Sequence, residues 1–547
     1  MKNRWNHLAC PWLVRLTALE FIGAAALAAA PAVTGVYNTA WVAPGLPNSG
    51  IAQGAFFALV GTGLGPSTPQ QVQAYPLPTT QGLGGTTVQV TVGSVTKTCI
   101  MDYVSATQVN AILPSATPTG TGTITLSYQG GTSSISVQVL AANFAMDTLN
   151  GAGTGSGVVT DLNYNVITMI NPAHPGEDLI LWGSGLGAVT GDETEPPVQV
   201  DLGTGVQVFV ENQPATVLYG GRGSSPALDQ IDFTVPTGIS GGCRTSIAVL
   251  VKGVTGNVTS MSVAPAGQST CNDGFGFLTA ANLQKAVTNG SLNMGGVVVS
   301  RIATGNDTLL GYFGNYPLNS LIRSYGGYYG PSIGSCVAYE VGGSSIETAL
   351  VDPVQPAYLN VGADMVITGP GGTQTIPVSS AGYFAADLAV APSTYIQPGS
   401  YTATNGSGGS NVGAFTWNLT LPASVVPTNI PATVNRAQDL KLTWTGGSAY
   451  QVASIFLISG IPLASSLNSW AFIVCDADAS SGTFTVPSAI LNLLPTNGYG
   501  SSSPIKRGVN VSIAGVPEAT FTVAGSPGLD AGIFTVFVSN NSVATIQ

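Results

Sequence analysis

Hydrophobic residues in this 547-residue chain recur at every second position in short runs, each closed by glycine, proline or asparagine. Val88, Val90 and Val92 alternate with Gln89 and Thr91, and Ile124 and Leu126 with Thr123, Thr125 and Ser127. Ile135, Val137 and Val139 alternate with Ser134, Ser136 and Gln138. That period puts one face of each segment in a core and the other in water, the mark of a half-buried β-strand. Gln129-Gly130-Gly131-Thr132 separates two such runs and predicts a hairpin. Val206, Val208 and Val210, then Phe415, Trp417, Leu419 and Leu421, then Leu440, Leu442 and Trp444 carry the pattern onward. Helical signals are confined to a short candidate at 277–287 and one turn following a strand within 483–494. The chain reads as all-β.

One stretch occurs twice. An apolar run, 54–60, leads into Gly61-Thr62-Gly63-Leu64-Gly65, and 176–182 leads into Gly183-Ser184-Gly185-Leu186-Gly187, 122 residues later. Each copy predicts a buried strand ending in a turn that needs glycine for positive φ or close backbone approach. Gln108-Val109-Asn110 before Pro114 and Gln230-Ile231-Asp232 before Pro236 keep the same offset. Two related units of this size, each with about seven short strands, predict tandem immunoglobulin-like β-sandwich domains.

The Gly-x-Gly-Leu-Gly turns after an apolar strand resemble the IPT/TIG type of immunoglobulin-like domain. The order of elements, ending in Gln230-Ile231-Asp232-Phe233-Thr234-Val235-Pro236, is similar to an uncharacterised domain of exported acidobacterial proteins. The first copy departs from that pattern at Ala111-Ile112-Leu113. The resemblance covers about residues 36–270 and implies fold and export; it brings no catalytic residues with it.

Length divides the chain further, since about 150 residues make one domain. The expected parts are a signal peptide at 1–32, immunoglobulin-like units at 33–142 and 143–271, a β-rich unit at 272–425 and a β-sandwich at 426–547, strung as a rod. Lys2, Arg4 and Arg15 precede an apolar stretch, and Ala30-Pro31-Ala32 offers small residues for cleavage. A retained N-terminal anchor is the alternative. No later run approaches the ~20 apolar residues of a spanning helix.

Charged residues are only 7 % of the chain, where about 25 % is usual, and the net charge is −11. Basic residues nowhere cluster beyond Lys506-Arg507, which removes the electrostatic basis for nucleic-acid or anionic-membrane binding. An exported chain meets an oxidising compartment, where Cys243 and Cys271 are the natural disulfide; Cys336 with Cys475 would join two units, leaving Cys99 buried and alone. No two cysteines are spaced as a zinc knuckle, and no metal or other cofactor is expected.

Candidate chemistry is sparse. Beyond the leader His174 is the only histidine, so any triad must use it. Gly330-Pro331-Ser332-Ile333-Gly334 matches a nucleophile elbow but lacks the strand, helix and downstream histidine that the motif needs. Asp192, Glu193 and Glu195 read as a solvated acidic loop. Asp476-Ala477-Asp478 resembles a calcium loop with its glycine one place late. Tyr312, Phe313, Tyr316, Tyr325, Tyr328 and Tyr329 fall in a glycine-rich stretch read as loop; the five tyrosines are the candidate binding residues, with core filling as their plainer role. The expectation is an exported, non-catalytic cell-envelope or extracellular protein, a spacer or a binder of a polysaccharide or cell-surface protein. A polysaccharide-active enzyme using carboxylates of the third unit and a calcium-stabilised adhesin are the alternatives.

Overall fold

The computed structural model describes residues 30–547 except 198, 273–278, 302–304, 325–329, 344–355, 379–381, 391–393, 423, 449–450, 463–467, 497–507, 518–519 and 522–527. Sheets dominate, and the architecture is a series of immunoglobulin-like β-sandwiches. In the first, one five-stranded sheet runs Ala32–Asn38, Phe56–Thr62, Gln108–Ile112, Ile100–Val104, Gln70–Gln71. It faces a second made of Ile51–Ala52, Gly131–Leu140, Gly120–Tyr128, Thr86–Val92 and Val95–Thr98. The alternating valines and isoleucines meet between them: Val88, Val90, Leu126 and Val139 are completely buried. Such side chains contribute roughly 1.5–3 kcal/mol each over an exposed position.

The repeat is repeated in three dimensions. Phe57 pairs with Ala111 and Leu59 with Val109; 122 residues on, Leu179 pairs with Phe233 and Leu181 with Ile231. A β-bulge falls at the same place in both copies. Met101 pairs with Ala111 and Tyr103 with Asn110, skipping Asp102; Val217 pairs with Phe233 and Tyr219 with Asp232, skipping Leu218. The glycine turns serve both units alike. A Cβ on Gly61 would lie 2.0 Å from the Ala32 carbonyl oxygen, and one on Gly183 2.4 Å from that of Ala145, so the neighbouring strand can approach only glycine.

Beyond residue 290 the strands interlock. Ser291–Arg301 pairs antiparallel with Asp307–Pro317 on one side and parallel with the first half of the final strand, Ala531–Ile546, on the other. The second half of that strand pairs with Val509–Pro517, in the sheet that also holds Gln451–Pro462 and Asn468–Asp478. Residues 531–538 fall inside the expected 426–547 unit, yet they complete the third sandwich. Cys336–Gly343 makes the converse exchange, leaving the third unit to pair with Asn468–Asp478. Pairing therefore runs across the expected 425/426 boundary in both directions.

The chain is not a rod of separate modules. Ala40, Val42, Ala43 and Leu46, from what the sequence presents as a lead-in, lie in the same core as Ile455, Ile473 and Val511. The 277–287 candidate is a helix at Ala280–Asn289, capped by the Thr279 side chain and ended by Gly290 in the left-handed conformation. The predicted strand and turn near 483–494 are present as Thr483–Val486 and Ser488–Leu491.

Candidate functional site

Tyr312 and Tyr316 lie on the Asp307–Pro317 strand, not in a loop. Their glycine neighbours do not break the strand, because Gly295 and Gly296 opposite leave room for large rings: a Cβ on Gly296 would come 2.5 Å from Tyr312 Cζ. Alternation sends Leu309 and Phe313 into the sandwich core and turns Leu310, Tyr312, Gly314 and Tyr316 to the other face. Register adds two residues that linear sequence could not place there. Tyr383 pairs with Tyr312, and Tyr358 pairs with Gly314, so four tyrosines share one face.

That face is divided in its role. Tyr312 and Tyr316 are half-buried against Met169, Leu283, Leu292, Leu321 and the Cys243–Cys271 bridge, filling the space beneath the Ala280–Asn289 helix. Tyr358, on the edge, is 43 % exposed. Tyr325, Tyr328 and Tyr329 lie outside the described residues.

Both cysteine pairs are closed. Cys243 is bonded to Cys271, and Cys336 to Cys475, its register partner on the adjacent strand; Cys99 is a free, buried thiol, and burial pushes its pKa well up. The second bond tacks the strand that leaves the third unit onto the sheet it joins.

The carboxylates that sequence singled out have packing roles. Glu193, expected in a solvated loop, accepts from the Ser115 amide and hydroxyl at 2.8 Å each and docks the acidic loop on the first unit. Asp476 is buried and accepts from Ser454 Oγ at 2.7 Å, while Asp478 caps the following turn through the Ser480 amide. Asp476 is engaged across the sheet by Ser454 and Asp478 by the turn that follows the strand, so the segment is strand and not a calcium loop, and no cluster of metal-binding side chains occurs among the described residues. Ser332 is buried, its hydroxyl accepting from the Arg244 amide at 3.2 Å, which spends the elbow motif on packing. His174 is an exposed turn residue whose Nδ1 lies 3.5 Å from Glu177.

Asp229, Asp307 and Glu340 are buried acids that sequence did not mark. Asp229 sits against Arg222, Asp307 against Arg301, and Glu340 against Asn48. Arg301 holds Asp307 bidentately at 2.6 and 2.7 Å, and Asp307 in turn accepts from the Ile396 amide. One cleft of about 260 Å³ lies between Arg244, Val258 and Tyr339, and another of about 220 Å³ between Phe209 and Ile490. Both volumes include space open to solvent and fall below the ~300–1,000 Å³ of small-molecule sites.

No protein-family model and no curated protein matches the chain. Among solved structures it is similar to SGBP-B from a xyloglucan utilization locus of Bacteroides uniformis, at 10 % identity over 94 % of this chain and 99 % of that one, TM-score 0.16. Similarity to invasin, a bacterial integrin-binding protein, has 11 % identity over 93 % and 78 % of the two chains, TM-score 0.13. The immunoglobulin domains 1–4 of Sidekick-1 align at 8 % identity over 95 % and 99 %, TM-score 0.12. At such scores the likeness is one of serial β-sandwiches and carries no functional argument.

Proposed function

We propose that this is an exported, non-catalytic protein of the cell envelope or extracellular space that holds a polymer or protein partner on a stiff β-scaffold. The observation that carries the reading is the final strand, Ala531–Ile546, which belongs to two sandwiches at once. Sharing a strand removes the hinge between them, a construction that suits presentation of a fixed surface better than closure around a substrate. The buried acids support the same reading: Asp229, Asp307 and Glu340 are sealed from solvent and engaged by groups of their own chain. Two disulfides fit an oxidising compartment. No helix among the described residues is long and apolar enough to cross a membrane. The matched registers and bulges support the first two units being copies of one domain type, and the resemblance of their glycine turns is what proposes the IPT/TIG-like type for both.

The test uses the full chain on an immobilised glycan panel and in a pull-down from cell-surface extract, with reducing-sugar release assayed in parallel. Saturable binding without turnover is expected. Polymer cleavage abolished by a single Asp or Glu substitution overturns the reading.

A further inference from the structure

The second unit differs from the first on the outer face of its repeated strand. Where the first copy has Val60, the second has Trp182, 122 residues later. Leu179 and Leu181 fill the core, and Trp182 points the other way, partly exposed, its Nε1 donating to Thr160 Oγ1 at 3.1 Å. Its six-membered ring reaches across the sheet: a Cβ on Gly223 would stand 3.4 Å from Trp182 Cζ3. Gln230 is its register partner, and Asp232 follows on the same face.

The bulge at Leu218 turns Tyr219 to this face, opposite Asp232. The hydroxyl end of the Tyr219 ring lies over Gly221, the hydroxyl donating to the Val200 or Arg222 carbonyl at 3.1 and 3.2 Å. Trp182 and Tyr219 stand on strands separated by one other and two residues out of register, so their backbones are about 12 Å apart. That is the scale of two pyranose rings in an extended chain. Between them Gln230 and Asp232 offer amide and carboxylate groups, with Gln230 Nε2 3.1 Å from Asp232 Oδ1.

A third ring extends the strip. Residues 161–165 form a tight turn: Tyr164 N donates to the Asp161 carbonyl, and Asp161 N to the Asn165 carbonyl, each at 3.0 Å. The Asp161 carboxylate accepts from the Asn163 and Asn165 amides and from the Asn165 side chain, all at 2.8 Å. Tyr164 closes this turn at φ +63°, the left-handed place that glycine takes without strain. The ring is 67 % exposed and 6.2 Å from Trp182. A strained backbone that holds an aromatic in solvent is a feature that packing does not account for.

We infer that Tyr164, Trp182 and Tyr219 form a platform for a neutral, extended polysaccharide, with Gln230 and Asp232 hydrogen-bonding its hydroxyls. Flat rings stack on the apolar faces of sugars, and the neighbouring amides and carboxylate match the hydroxyl edges. Neutrality follows from charge: Asp161, Asp178 and Asp232 lie on or beside the face of a chain with net charge −11, which repels polyanions. The inference rests on the proposed binding role and names its site and ligand class.

The experiment measures retention of the full chain on insoluble neutral β-glucan, and titrates it with soluble neutral gluco-oligosaccharides by tryptophan fluorescence, with polygalacturonate as the anionic comparison. Binding of the neutral polymers alone is expected. Trp182→Ala and Tyr164→Gly should each weaken it by about tenfold. Tyr164→Gly removes the strained side chain, so its melting temperature should equal or exceed wild type, which separates lost contact from lost folding. Neutral-polymer binding unchanged in both variants overturns the platform and leaves the general binding role standing. Retention by polygalacturonate, or capture of a protein partner with no neutral polymer bound, overturns the ligand class.

Discussion

Arg222 and Asp229 are register partners on neighbouring strands, with Nε 3.0 Å from Oδ1 and both side chains sealed from water. The contact is an ion pair across a turn, not an aligned hydrogen bond, and each partner is held by other groups. Asp229 Oδ2 accepts from the Gly185 and Leu186 amides at 2.8 Å, ordering the second Gly-x-Gly-Leu-Gly turn. Arg222 Nη2 reaches the Gly54 carbonyl of the first unit at 3.2 Å. One buried pair thus ties the signature turn of the second unit to the signature strand of the first.

Removing Asp229 alone should be costly, because a buried guanidinium would be left without its counter-charge. Asp229→Ala is expected to lose about 3–5 kcal/mol in urea unfolding. The double change Arg222→Met, Asp229→Leu should recover only part of that loss. Two buried amides then lack an acceptor, and each costs roughly 1–3 kcal/mol. Full recovery in the double-mutant cycle would show that the turn does not depend on the carboxylate.

Stability should fall as pH rises. Glu340 is buried, its carboxylate accepts from Asn48 Nδ2 at 2.9 Å, and burial pushes its pKa up to about 8. Burial likewise raises Asp147 and Asp229 to about 6, the latter against the pull of Arg222. In the unfolded chain these groups titrate near their ordinary values, about 4. The folded state therefore holds their protons more tightly, and the associated stability is complete below about pH 4 and is lost on climbing through each folded pKa. Melting temperatures should decline from pH 5 to pH 8 in calorimetry. Glu340→Gln, neutral and of similar shape, should flatten the upper part of that decline; an unaltered slope would place the titration elsewhere.

The front half of the fold was legible because its signal is local and occurs twice. Leu59 and Leu181 announce the same buried strand, and the glycines after each announce the same turn. The back half was not, because the partner of Val297 is Phe534, a parallel neighbour more than 200 residues away, which no window of sequence can join. The tyrosine face failed in two ways. Glycines around Tyr312 suggested loop where they serve as clearance for rings, and Tyr358 and Tyr383 join it only through register. Tyr401 did carry a readable signal, a tyrosine at the start of a strand just after Pro398-Gly399. Its hydroxyl donates to the Gln397 carbonyl at 2.7 Å and accepts from the Gln397 amide at 2.8 Å, the tyrosine corner of immunoglobulin-like domains.

The two disulfides should differ in worth. Cys336–Cys475 closes 139 residues and Cys243–Cys271 closes 28. Chain-entropy reasoning assigns about 5 kcal/mol to the longer loop and about 3.5 to the shorter. Paired Cys→Ala changes at 336 and 475 should therefore lower the urea midpoint more than those at 243 and 271. Equal losses would mean that the reduced chain keeps the Cys336–Gly343 strand near its partner.

The shared final strand makes its own prediction. A fragment of residues 272–425 contains most of the third sandwich yet lacks Phe534 and Val536, which are fully buried beside Val297, Val299 and Phe313. It also leaves an unpaired edge on Ser291–Arg301, since the neighbour there is residues 531–538. The fragment should be unfolded or aggregated, with far-UV circular dichroism lacking a cooperative transition. The full chain ending at residue 530 should lose both rear sandwiches together while the first two units stay resistant to protease, because among the described residues their cores, around Leu59 and Leu181, take no side chain from beyond residue 263. A cooperatively folding 272–425 fragment would show that the final strand is an accessory to the third sandwich and not part of its core.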